Sequence, residues 1–97
     1  MDTLEELKFK LETIKPALKA YYKVETIGIF GSYSRGEQRE KSDLDILVTF
    51  SGPVGVYGFI EVEEFLKKKL GVKVDLVQKG ALLPMMREKI LNETVQI

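Results

Sequence analysis

The chain has no cysteine, no histidine and no tryptophan among its 97 residues. Missing thiols and imidazoles exclude disulfides, zinc centres of the usual ligand sets, cysteine nucleophiles and histidine general bases together. Any chemistry must run on carboxylates, hydroxyls, lysine and arginine. A surplus of one charge is also absent: 15 basic residues balance 15 acidic ones. Bulk electrostatics therefore will not coat nucleic acid or an anionic membrane, and no direct sequence-specific nucleic-acid binding is expected. A polyanion would have to be held locally. No apolar run approaches a membrane span, and the opening residues Asp2, Glu5 and Glu6 are acidic where a secretory signal would be basic. The expectation is a cytoplasmic protein without a membrane partner.

What is present has a globular balance, 44% hydrophobic and 31% charged, without repeats or low-complexity tracts. The length suits a single domain over residues 1–97 with one core. Thr3 and Glu6 have the form of a capping box, and Leu4, Leu7, Leu11, Ile14, Leu18 and Tyr21 recur at helical spacing. Pro16 removes a backbone hydrogen bond and clashes with the Glu12 carbonyl, so this helix is expected to kink or split there. Val24 to Phe30 reads as a first strand, Ser32 to Gly36 as about one helical turn, and the apolar Leu44 to Phe50 as a second, central strand. After a glycine- and proline-broken loop at 51–55, Phe59, Val62, Phe65, Leu66 and Leu70 predict a second helix, closed by Lys67 to Lys69 and Gly71. A third strand from Val72 to Gln78 and a last helix from Leu83 to Glu93 follow, with Val95 and Ile97 as a short apolar tail.

The helix between strands two and three makes that pair parallel, and the short link between strands one and two makes theirs antiparallel. The expected fold class is α/β (α+β), a three-stranded mixed sheet flanked by helices.

Chemistry concentrates between Ile27 and Phe50. Gly31 lets the chain turn where the first strand stops, and Ser32 can cap the following turn with amides pointing outward, a geometry that attracts anions. Capping and phosphate binding use the same arrangement, so Ser32 can serve both. Asp43 and Asp45 are two residues apart on an extended segment, which sends both side chains to one face, roughly 7 Å apart at the backbone. Two converging carboxylates suit hard divalent cations. Asp75 stands between Val74 and Leu76, an unusual place for a carboxylate unless that face opens onto polar chemistry or water. With Arg35, Arg39 and Lys41 nearby, these are the parts of a two-metal phosphoryl-type transfer. Arg39, Lys41 and the Lys67 to Lys69 run read equally well as solvated side chains.

Gly31-Ser32, ten intervening residues and Asp43-Leu44-Asp45, with Arg35-Gly36 in the gap and a later Val74-Asp75-Leu76-Val77, resemble the minimal nucleotidyltransferases of the polymerase-β superfamily. The resemblance runs over nearly the whole chain, to the closing segment from Ile90 to Ile97. It implies two Mg2+ ions on Asp43, Asp45 and Asp75, ATP held by Gly31, Ser32, Arg35 and Gly36, and transfer of AMP to a hydroxyl. Many such small proteins are antitoxins encoded beside a helical HEPN ribonuclease toxin, and the implied acceptor is a tyrosine of that partner. Two alternatives stand beside this: a binding module that neutralises by docking alone, and the catalytic subunit of a small-molecule, aminoglycoside-type nucleotidyltransferase. Acceptor recognition must come from a partner surface or a second subunit, which leaves room for a homo-oligomer.

Overall fold

The computed structural model describes residues 2–97. Helix α1 spans Leu4–Tyr22, followed by β1 (Val24–Phe30), β2 (Leu44–Phe50), α2 (Val56–Leu70), β3 (Val74–Gln78), a 3-10 turn (Lys79–Ala81), α3 (Pro84–Glu93) and β4 (Val95–Gln96). Thr3 caps α1 by accepting the Glu6 amide at 3.2 Å. The helix runs through Pro16 without splitting. An internal proline costs about 3 kcal/mol. Leu7, Leu11 and Leu18 are fully buried, each contributing about 1.5–3 kcal/mol. Packing on both sides of the proline therefore outweighs the lost bond.

The strand order is β3-β2-β1-β4. β1 and β2 pair antiparallel, with Ile27 opposite Val48 and Phe30 opposite Asp45. β2 and β3 pair parallel, with Asp45 opposite Asp75. Both orientations follow the reading of the connecting lengths, and β2 is central.

The sheet has four strands where three were expected. The apolar tail docks on β1, with Gln96 opposite Gly28 and Val95 opposite Ile29. Two residues carry no readable alternation, so this strand is made by its contacts rather than its own pattern. Gly28 permits the approach: a Cβ there would lie 2.6 Å from Thr94 Cγ2 and 3.1 Å from the Val95 carbonyl oxygen.

Strand alternation divides the sheet into two faces. Ile27, Ile29, Ile46, Val48, Val74 and Leu76 pack beneath α1 and α2 together with Leu66 and Leu70. Phe30 and Leu47 point the other way and meet Ile90 of α3, with Val77, Leu82 and Leu91 around them. Asp45 shares the parity of Leu47, and Asp75 that of Val77, so both carboxylates project toward the α3 side. Of the apolar residues expected on α3, only Ile90 is buried; Leu83 and Met86 are exposed. Among the described residues no helix is long and apolar enough to cross a membrane.

Candidate active site

The site begins where β1 stops. Gly31 takes a φ of 75°, a left-handed conformation that glycine alone adopts without strain. It also has no room for a side chain, since a Cβ would overlap Asp45 Oδ2 and stand 2.9 Å from Asp45 Cγ. The next residues form a tight turn. The amides of Ser34 and Arg35 donate to the Gly31 carbonyl at 3.1 and 3.2 Å, and Glu37 N–H donates to the Ser32 carbonyl at 2.8 Å. Gly36, at a φ of 71°, closes it.

The hydroxyl that stabilises this turn is that of Ser34, which donates to the Gly31 carbonyl at 2.9 Å. Ser32 was expected to cap it. Instead the Ser32 and Tyr33 amides find no backbone acceptor among the described residues. Successive amides of this kind form a concavity suited to an anion.

Asp43 is reached through a second small turn, in which Arg39 N–H donates to Ser42 Oγ at 2.8 Å and Ser42 N–H to the Arg39 carbonyl at 2.9 Å. Asp43 and Asp75 are exposed and Asp45 is half-buried. The Asp45 carboxyl is pushed up to about 6, first by burial, then by the charge of Asp75 and a hydrogen bond with it, then by Asp43, with Arg35 pulling the other way. Negative charge is crowded at this end of β2, and a cation there would relieve it.

A cleft of ≈ 360 Å³ brings Gly31, Ser32, Arg35, Asp43 and Asp45 together. Asp75 and Gly36 lie outside its lining, Asp75 as the cross-strand neighbour of Asp45 and Gly36 as the stop of the turn. Arg39 and Lys41 also stay outside it and are exposed. Among the described residues no three carboxylates stand close enough to hold a metal by themselves. The donors are nonetheless all oxygen, the type that magnesium accepts, and magnesium ordinarily takes several ligands from water and substrate phosphate.

The far wall of the cleft comes from α3, through Met86, Lys89, Ile90 and Glu93. Sequence reasoning gave this helix no part in holding the nucleotide or the metal, only Met85 and Met86 as exposed candidates for acceptor contact. Its contribution repeats at i, i+3, i+4 and i+7, but the face mixes apolar and charged residues and so lacks the signature of either a buried or a solvated face. Glu93 is the most connected of them, accepting the Gly31 amide at 3.0 Å and two hydrogen bonds from Arg35.

The family model described as "Nucleotidyltransferase domain" matches residues 11–97. A Thermococcus cleftensis relative named protein adenylyltransferase MntA is 44% identical, over 100% of this chain and 98% of its own length. A solved structure provisionally described as a minimal nucleotidyltransferase superposes with a TM-score of 0.84 at 34% identity, covering 99% of this chain and 97% of its own. A toxin–antitoxin complex crystallised with AMP-PNP contains a chain of TM-score 0.71 and 28% identity, covering 90% of this one and 70% of its own.

Proposed function

The chain belongs to the nucleotidyltransferase domain family, and on that footing we propose that residues 1–97 act as one catalytic domain that moves AMP from ATP to a hydroxyl of a partner protein. The partner we propose is a HEPN-type ribonuclease toxin, and the acceptor a tyrosine. In favour of this are the similarity to a relative named as a protein adenylyltransferase and the likeness to a toxin–antitoxin complex with an ATP analogue. The observation that carries the chemistry is Asp45 packed against the Cβ-less Gly31, which sets a carboxylate beside the anion-binding turn in one cleft.

In this reading the free Ser32 and Tyr33 amides, the Ser32 hydroxyl and Arg35 hold the β- and γ-phosphates. Asp43 and Asp45, with Asp75 alongside, are the residues that would hold magnesium. When bound, the metal neutralises phosphate charge and acidifies the acceptor hydroxyl. The acceptor oxygen forms a bond to the α-phosphorus as the bond from that phosphorus to the bridging oxygen breaks. Pyrophosphate leaves with that oxygen, and the hydroxyl proton passes to the Asp75 carboxylate. Acceptor recognition falls to exposed apolar side chains near the cleft and on the α2 entry, among them Met85, Met86, Val56 and Tyr57.

The test is incubation with α-labelled ATP, magnesium and the HEPN-type protein encoded beside this chain. Label should appear on that partner, with pyrophosphate released in equal amount. A partner that stays unlabelled while the three aspartates are intact would overturn the proposal.

A further inference from the structure

We propose that Glu93 is a positioning residue for the nucleotide: from the last turn of α3 it fixes Arg35 and the end of β1 so that two guanidinium donors face the triphosphate. This rests on reading the cleft as a nucleotide site.

Arginine carries five N–H donors in a rigid fork. The Arg35 Nε donates to Glu37 Oε1 at 2.9 Å, and Nη1 donates to Glu93 Oε1 and Oε2 at 3.1 and 3.0 Å. The two Nη2 donors have no partner among the described residues, and Arg35 lines the cleft. Glu37 is two residues away on the same exposed turn, with 64% of its side chain open to water. It cannot fix the guanidinium relative to the rest of the fold. Glu93, at 16% exposure, belongs to a different element and can.

The same carboxylate also serves the backbone. β4 pairs with β1 only at Gly28 and Ile29, so the Gly31 amide lies beyond the reach of that short strand. Glu93 Oε1 supplies its acceptor at 3.0 Å. One side chain thus fastens the start of the phosphate turn, the arginine within it and the helix forming the opposite wall. Two carboxylates around Arg35 more than offset its single positive charge, so its value to a phosphate lies in the direction of its free donors, which Glu93 sets. If Glu93 instead competed with phosphate for Arg35 and Gly31, removing it would tighten binding.

Calorimetric titration of the full chain with MgATP separates these outcomes. Glu93→Gln keeps an oxygen for the Gly31 amide and loses the ionic grip on Arg35. It should raise the Kd about tenfold, the effect expected for one charge-assisted hydrogen bond, with the melting temperature shifted by only a few degrees. Arg35→Met should weaken binding similarly, and the double variant should be no weaker than either single one, because both remove the same contact. Glu93→Asp, which keeps the charge but shortens the reach, should also weaken binding and is the second variant should the glutamine chain fail to fold. Unchanged or tighter binding by the Glu93 variants, or losses that add in the double variant, overturns the assignment. A wild-type chain that takes up no MgATP overturns the nucleotide reading and this one with it, whereas normal wild-type binding beside unaffected variants overturns only the role of Glu93.

Discussion

Alanine at Gly31 should damage both stability and transfer, and Gly36 provides the internal control. The two glycines have nearly the same backbone, with φ of 75° and 71°. A Cβ at Gly36 meets nothing within 4 Å, so Gly36→Ala carries only the left-handed penalty, about 1–2 kcal/mol. At Gly31 the added methyl also overlaps the Asp45 carboxyl, with Cγ at 2.9 Å and Cβ at 3.2 Å. Asp45 must leave its rotamer, which adds about 0.5–1.5 kcal/mol. The Gly31→Ala loss then comes to about 1.5–3.5 kcal/mol. At about 5 °C per kcal/mol for a domain of this size, that is a fall in Tm of about 8–18 °C, against about 5–10 °C for the control. Thermal melts followed by circular dichroism measure both. Transfer assayed well below either Tm should be nearly lost in Gly31→Ala and largely kept in Gly36→Ala, since only the former displaces Asp45. Two alanine variants that melt together, or a Gly31→Ala chain with full transfer, would refute the coupling of turn and carboxylate.

The elevated Asp45 carboxyl makes stability depend on pH in a definite direction. With the folded value about 6 against 3.8 ordinarily, both states are protonated below about pH 3.8 and no deficit exists. Between there and about pH 6 the unfolded chain ionises first, so stability falls as pH rises, then stays lower. At full value the deficit is about 3 kcal/mol, and water around a half-buried carboxylate reduces it to about 1–2 kcal/mol. Asp45→Asn should therefore melt higher than wild type at pH 8 without magnesium and equal to it near pH 3.5; no gain at pH 8 would contradict the crowding of charge. Asp43→Asn combined with Asp45→Asn should lower label transfer on the order of 10³-fold or more. Pull-down of the partner should be retained. If the double variant still neutralised the proposed HEPN-type partner in cells, the protein would act by docking.

The core of the fold was legible because its signals are periodic. The Thr3 cap, the β1 and β2 bounds, the parallel pairing across α2 and the Gly71 stop all depend on local pattern or chain length. β4 was not legible, because two residues have no period and their place is set by the gap left at Gly28. The site divides the same way. Gly31, Ser32, Asp43 and Asp45 are close in sequence and separated by one short link, so their convergence could be read. Glu93 could not, since its contact with Gly31 spans 62 positions and arises from α3 folding back over the sheet. The role of Ser34 was hidden for another reason: either serine of the turn could hold it, and only the backbone geometry at Gly31 selects between them.

Asp45 and Asp75 are neighbours because β2 and β3 run side by side in register, although all of α2 intervenes along the chain. The pair is thus indifferent to how much polypeptide lies between them and intolerant of odd steps. Lengthening the 51–55 connection leaves the two acids facing each other. One residue inserted between Val74 and Asp75, with Val74 held in register, turns the Asp75 carboxylate under α2, while two residues restore the facing and merely displace it along the strand.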